Sequence, residues 1–548
     1  MYPLKPQRTA SGVATVTVIT KPGRCSGDCL FCPSDVRMPK SYLSNEPACQ
    51  RAERNYFDPY LQVTMRLRAL HQMGHVTDKV ELIVLGGTWS DYPPEYQIWF
   101  IAELFRALND GDTNEQAVQE RLTFYERAGL SNCEEKLADL VSDVQQQVNG
   151  GALAYNEAMR QLYEESSVWR EIATEQTASL AELFEQHRRN EAAAHRAVGL
   201  CVEVRPDTIT SEGLTFLRRL GCTKIQMGIQ SLDADVLAVN GRALTLETIQ
   251  RAFALLRVFG FKIHVHFMQN LPGSSAADDM RAYRRLVTEA PYLPDEVKLY
   301  PCVLVENARL YQAYTEGAWQ PYSEEELLEV LIADTLATPP FVRISRMIRD
   351  ISARDIVAGN KKANLRQFVE AAIETTGGRV HEIRSREIRT SEIEVESLAL
   401  DIMSYETTMS TEYFLQWVTP DDRIAGFLRL SLPDTDDVCV GDTCAPNGCE
   451  RSTELPVAPG VAMIREVHVY GRVARLRETR ENAQHLGLGR QLIEKACEIA
   501  REHGYHTMRV ISAVGTRAYY RSLGFYDGEL YQMKPLSLAT GKNGMIVP

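Results

Sequence analysis

Three cysteines stand at C-x3-C-x2-C in the run KPGRCSGDCLFC: Cys25, Cys29 and Cys32. Thiolates are the usual protein ligands of iron–sulfur clusters, and four are expected where a 4Fe–4S cluster only carries electrons. A tight triad holds three irons of such a cube and leaves the fourth open to bind something else. A structural zinc knuckle and a disulfide pair are the plainer alternatives. Zinc normally takes four ligands, and no His or Cys stands nearby at finger spacing, since Cys49 is too far away and sits in a different motif. The cluster is the expected occupant.

A second constellation lies near the C-terminus. Gln484-His485-Leu486-Gly487-Leu488-Gly489 opens a helix directly after a strand. Its two glycines let the backbone approach a ligand closely, and the unpaired N–H groups of a first helical turn suit a pyrophosphate. Tyr519 and Tyr520 lie on the helix before Gly524-Phe525; core packing is the alternative for both, and one of them is expected to fill that role. His468 and His485 read as surface or structural histidines rather than general bases. Cys439, Cys444 and Cys449 lie in an acidic Gly/Pro-rich loop that reads as variable and exposed, with metal binding the lesser alternative.

The elements that must position these groups fall into two patterns. ATVTVIT runs into the cysteine loop, and KVELIVLGG, GLCVEVRPD, CTKIQMGIQS, FKIHVHFMQNLPG and EVKLYPCVL follow as apolar strands separated by helical stretches. Alternating strand and helix predicts an α/β parallel sheet or barrel with its site at the strand C-terminal ends. Residues 109–191 break the alternation with a Glu/Gln/Ala-rich helical insertion, expected as a surface excursion on the barrel rim. After about Glu392, antiparallel strands, a glycine-rich turn, a long helix and a further strand make a second domain. The expected boundaries are 1–340, a basic linker at 341–391, and 392–548.

The chain has 548 residues, 44% of them hydrophobic and 24% charged, which is ordinary for globular protein and too long for one core. The sequence has no stretch of about 20 apolar residues to span a membrane, and MYPLKPQRTASG lacks the apolar region of a secretory signal. Twelve cysteines in such a chain favour reduced thiols and a cytoplasmic setting. A net charge of −13 argues against a nonspecific nucleic-acid binder. The segment Phe341 to Thr390 is nonetheless rich in arginine, and Arg343, Arg346, Arg349, Arg384 and Arg386 are its candidate RNA contacts. A solvated helix face with internal ion pairs is the alternative.

Taken together the motifs resemble two superfamilies in one chain. The cysteine triad resembles the radical S-adenosylmethionine (SAM) enzymes, in which SAM occupies the open iron, and the glycine turn resembles the GCN5-related N-acetyltransferase (GNAT) fold, whose loop binds acetyl-CoA. Their fusion, with SYLSNEPACQRAERNYFDPY, GHVTDKVELIVLGGTWSDYP and RISRMIRDI, resembles the Elongator catalytic-subunit family in its stand-alone prokaryotic form. The resemblance implies a partial TIM-type (β/α)6 barrel followed by an α+β acetyltransferase domain. It also implies formation of 5-carboxymethyluridine at the tRNA wobble position. There a SAM-derived radical takes hydrogen from the acetyl methyl group, and the carbon radical adds to the uridine.

By the same resemblance Cys25, Cys29 and Cys32 ligate the cluster, and Gly86, Gly87 and Thr88 meet the SAM amino group. Glu203, Arg205 and Gln230 hold its ribose and carboxylate. Lys79, Glu466, Val467, His468, Val469, Gln484, Gly487, Leu488, Gly489, Arg490, Gln491 and Tyr520 serve acetyl-CoA. Lys298, Tyr300, Tyr519 and Tyr520 are the catalytic candidates, although Lys79 and Lys298 also read as lysines at the edge of a buried strand. His381 and Ser385 stand where some members carry cysteine, which removes support for a zinc site there. With no long basic extension before Lys5, affinity for the anticodon loop is expected to rest on arginines. No dedicated scaffold subunits are expected, and the electron donor is not specified. A protein lysine acetyltransferase with a structural iron–sulfur domain is the competing reading.

Overall fold

The computed structural model describes residues 12–388, 395–434, 458–470 and 487–536. Seven strands form one sheet in the order β1 (Ala14–Ile19), β2 (Lys79–Leu85), β3 (Arg196–Val204), β4 (Lys224–Gln230), β5 (Lys262–Gln269), β6 (Glu296–Pro301) and β8 (Arg343–Arg346). Every neighbouring pair is parallel. After β6 and after β8, β7 (Leu304–Val305) and β9 (Ile356–Ala358) pair antiparallel in a separate small ribbon. Parallel strands need covering helices on return, and these begin with side-chain caps: Asp58 accepts from Leu61 N–H, while Ser275 and Ser323 form reciprocal capping boxes with Asp278 and Glu326.

The barrel is one strand larger than the six expected. Val342 and Ile344 are fully buried, and β8 pairs with β6 from Glu296 to Lys298. The start of the segment read as a basic linker is therefore a barrel strand. Its arginines flank apolar residues that pack in the sheet, a pattern that charge density alone conceals.

A second sheet follows in the order β10 (Ala399–Glu406), β11 (Ser410–Val418), β12 (Ile424–Pro433), β13 (Val461–Val469), β14 (Thr507–Val510), β16 (Gln532–Pro535), β15 (Tyr526–Asp527). Its neighbours are antiparallel except β13 and β14, which pair in parallel only from Val461 to Ile464. Beyond that point β13 parts from β14 and opens a cleft. The helix Gly487–Glu502 buries Leu492, Ile493, Ala496 and Ala500 against Leu428, Leu430 and Ile464 of this sheet.

The second domain docks on the N-terminal ends of the barrel strands. Arg465 pairs with both Asp295 and Glu412, Arg429 reaches Asp295 at 3.4 Å, and Arg257 reaches Glu412 at 3.3 Å, all nearly solvent-free. Burial opposes ionisation of Asp295, but Arg465, Arg429 and Arg257 hold its carboxyl down at about 2. Tyr531 donates to the Phe259 carbonyl at 2.9 Å, and Phe341 stacks on Tyr405 at 3.9 Å. A Cβ on Gly515 would lie 2.6 Å from the Arg196 Cβ and 2.9 Å from the Ala197 carbonyl oxygen, so the two surfaces touch backbone to backbone.

Candidate active site

The cysteine loop leaves the C-terminal end of β1, at the opposite end of the barrel from the second domain. Cys29 is buried, and Cys25 and Cys32 are half-buried. The Gly27 N–H donates to Cys25 Sγ at 3.4 Å, and Arg242 Nη1 donates to Cys29 Sγ at 3.2 Å. Cys29 accepts from the Cys32 thiol and, against the cost of burial, ionises more readily than a free thiol, with Arg242 and Arg205 adding to the effect. Arg205 pairs with Asp207 and lies over the loop, where a Cβ at Gly27 would meet its Nη1 at 2.1 Å. Three thiols on one loop, with guanidinium groups and an N–H directed at sulfur, are the donors and counter-charges an anionic iron–sulfur cube would take. Among the described residues no group of three or more His, Cys, Asp or Glu, the three cysteines included, is arranged as a metal site.

β2 ends in a tight glycine turn. Gly86 and Gly87 have φ of 137° and 77°, a backbone that side chains resist. At Gly86 a Cβ would also lie 1.9 Å from Thr20 Oγ1. The Gly86 carbonyl accepts from Thr20 and Tyr92 hydroxyls, each at 3.2 Å, and Thr88 Oγ1 lies 3.9 Å from Cys25 Sγ. Glu203 lines a small cleft with Gly86 and Gly87. Gln230 has φ of 70° at the end of β4, where the ladder to β5 shifts register.

The barrel interior is polar. Alternation along β5 turns Lys262, His264, His266 and Met268 inward, and β6 adds Glu296, Lys298 and Tyr300. Gln226 Oε1 accepts from Lys298 Nζ at 2.5 Å and from His266 Nε2 at 3.0 Å. Tyr42 donates to Glu203 at 2.7 Å, and His266 Nδ1 faces the other oxygen of Glu203 at 3.7 Å. Burial lowers Lys298 to about 8, opposed by the Glu203 charge, and keeps both His264 and His266 neutral. Tyr300 packs edge-on to His266.

This interior continues without a break into the second domain. One cavity of about 1240 Å³ is lined by Cys32, Glu203, Gln230, Lys298 and Tyr300, and equally by Lys79, Glu466, Val467, His468, Val469, Gly489, Tyr519 and Tyr520. At the junction Lys262 pairs with Glu466 and, at 2.9 Å, with Glu296, while Lys224 bridges Glu296 and Glu81. Against burial, Lys262 and Arg429 hold the Glu466 carboxyl below its ordinary range.

The candidates for the second domain divide. A Cβ on Gly489 would lie 3.6 Å from Val469 Cγ2 and 2.9 Å from the Tyr519 hydroxyl, which places the helix opening beside the splayed end of β13. Leu488 is buried, whereas Arg490 and Gln491 face solvent. Tyr519 is half-exposed, while Tyr520 belongs to the domain's apolar core and meets Phe525 edge-on. Tyr520 therefore takes the packing role and Tyr519 the exposed one. Gln484, His485 and the loop holding Cys439, Cys444 and Cys449 lie outside the described residues.

The arginine candidates for RNA are largely committed elsewhere. Arg386 is buried against Asp422, Arg384 donates to the Ser345 carbonyl, and Arg343 donates to Glu387 at 2.7 Å inside the cavity. Arg349 grips the Ser41 carbonyl. Only Arg346 of the five is half-exposed, paired with Asp350 at 2.6 Å. These side chains make the internal pairs that were the alternative to an RNA surface, and they tie β8 to its flanks. Arg242, Tyr42, Gln226 and His266 were missed from the sequence. Alternating polar residues along β5 were the one available signal; Arg242 lies 213 residues from Cys29 and had none.

Residues 294–375 match the model of the radical SAM C-terminal domain and residues 380–525 that of the GNAT acetyltransferase family. The tRNA uridine(34) acetyltransferase of Dehalococcoides mccartyi is 34% identical over 95% of this chain and 97% of its own length. That of Methanocaldococcus infernus is 32% identical over 97% of this chain and 87% of its own. Human Elongator complex protein 3 is 30% identical over 97% and 86%. The solved archaeal Elp3 of M. infernus, with its N-terminus deleted, superposes with a TM-score of 0.69 at 28% identity, covering 96% of this chain and 99% of that one. With both domains, the cysteine triad and the shared cavity in one molecule, the chain belongs to the family of Elongator complex protein 3 and the tRNA uridine(34) acetyltransferases.

Proposed function

We propose that this chain forms 5-carboxymethyluridine at the wobble position of tRNA, using a 4Fe–4S cluster, SAM and acetyl-CoA. The observation that carries the reading is the single cavity running from Cys32 through the barrel interior to β13 and Gly489. With its cofactors bound, the site supplies a carbon-centred radical at the cysteine end and a two-carbon thioester at the other. Cys25, Cys29 and Cys32 would hold the cluster, and Gly86, Gly87, Thr88, Glu203, Arg205 and Gln230 would hold SAM against it. The strand Glu466 to Val469 and the first turn at Gly487 would hold acetyl-CoA.

Lys298, held by Gln226, would bind the acetyl carbonyl, with Tyr300 and His266 as walls of the chamber around it. Such a buried, preorganised donor is worth far more than the same group in water. The protein's other task is to exclude water from a reactive intermediate, which the buried walls of β4, β5 and β6 favour. An unstacked anticodon base would enter near Arg346, in a cytoplasmic setting.

The competing lysine acetyltransferase reading needs a peptide along the open edge of β13. Groups already crowd that strand: Lys262 of the barrel and Arg429 of the neighbouring β12 engage Glu466, and just beyond β13 Glu387 accepts from Tyr470 at 3.1 Å. Incubation of the reconstituted chain with SAM, reductant, acetyl-CoA and tRNA, followed by nuclease digestion and mass spectrometry, is expected to yield carboxymethyluridine. A Cys29→Ala variant is expected to yield none. Product from that variant, or acetyl-lysine on protein without modified RNA, would reverse the assignment.

A further inference from the structure

The chain between β1 and the helix Pro47–Arg54 has no strand or helix of its own beyond an isolated bridge at Pro33. Its backbone N–H and C=O groups must find partners elsewhere. Many find them in the helical insertion. Asn156 Oδ1 accepts from the Cys25 N–H at 3.0 Å, and Asn156 Nδ2 donates to the Cys25 carbonyl at 2.9 Å. Gln145 repeats the arrangement beyond the third cysteine: Oε1 accepts from the Val36 N–H at 2.8 Å, and Nε2 donates to the Ser34 carbonyl at 3.0 Å. Two amide side chains thus grip the loop with both arms, one at the first thiol and one just past the last, as a neighbouring strand would.

The surrounding contacts reinforce the grip. Tyr155 donates to the Met38 carbonyl at 2.8 Å, and Tyr163 donates to the Val36 carbonyl at 3.1 Å. The Lys40 ammonium sits 4.6 Å from the Tyr155 ring centroid. Val36 is buried in a small core with Val141, Tyr155, Ala158 and Met159. The insertion is therefore not the surface excursion expected from its composition.

We propose that this insertion, through Asn156 and Gln145, is the positioning element of the cluster loop. Asn156 sets the Cys25 backbone so that Cys25 Sγ receives the Gly27 N–H. The proposal rests on the cysteines being cluster ligands. Hydrogen bonds to cluster sulfur and the shell that orients the ligands tune both retention and reduction potential. A residue that only fills space would leave the potential unchanged.

The test uses the full reconstituted chain and its Asn156→Ala, Asn156→Asp and Gln145→Ala variants. Cluster iron and sulfide, loss of cluster absorbance to a chelator, midpoint potential, acetyl-CoA affinity and thermal unfolding are measured for each. Asn156→Ala is expected to keep acetyl-CoA affinity, lose its cluster about tenfold faster, and show a more negative potential as the N–H···S bond is lost. Asn156→Asp, isosteric and still able to accept from the Cys25 N–H, is expected to fall between. Wild-type retention and potential in both alanine variants would overturn the proposal. A wild-type chain that takes up no iron would instead sink the cluster reading, and this proposal with it.

Discussion

Lys298 illustrates how little a residue's identity says about its state. It is a lysine on a buried strand, and its ammonium meets an amide oxygen instead of a carboxylate. Burial brings its pKa down to about 8, so the charged form is lost as pH rises through that value. If the ammonium binds the acetyl carbonyl, product formation will decline above pH 8. Lys298→Arg, which stays protonated, will lack that limb. Lys298→Met is expected to lower turnover about 100-fold or more while cluster content and acetyl-CoA affinity stay intact. A loss of either binding function instead would mark Lys298 as structural. Its neighbours His264 and His266, held neutral by burial, contribute no charge in that pH range.

The elements are joined by close approaches that only small residues permit. Gly515 sits in the short turn after β14, pressed on the start of β3. Adding a methyl group there forces two backbones apart, since neither the Arg196 Cβ nor the Ala197 carbonyl is the mobile end of a side chain. Gly515→Ala is expected to lower stability by about 1–3 kcal/mol, read as an earlier midpoint in urea. Because the cavity crosses that junction, product formation should fall further than either cofactor's binding. The splay of β13 from β14 is the second such device. The pairing ends at Ile464, which frees Glu466 to Val469 to line the cavity.

The whole molecule is a polar-lined barrel closed at its base by another domain, with an ionic lattice at the joint. Buried ion pairs add little net stability over apolar packing, but removing one partner strands the others in low dielectric. Arg465→Met would leave Asp295 and Glu412 without their shared partner and is expected to cost about 3–5 kcal/mol, measured as a fall in the free energy of denaturant unfolding. The lattice therefore fixes the orientation of the two domains, and with it the line from the acetyl-CoA strand to the cysteines. Among the described residues no helix is long and apolar enough to cross a membrane.

The cysteine triad and the alternation of strand and helix were legible along the chain because their partners are near in sequence. Thiols within eight residues and apolar runs between turns depend on local geometry. Distance in sequence hid the remainder. Nothing local tells that Arg386 is spent on Asp422, that Tyr520 belongs to a core while Tyr519 does not, or that Asn156 grips Cys25 across the insertion. Alternation along β5 announces which side chains share a face, but not that the face lines an open passage rather than a packed interior. Those choices are made by packing, where burial and charge pairing between remote segments select one arrangement, and they have no period for a linear reading to detect.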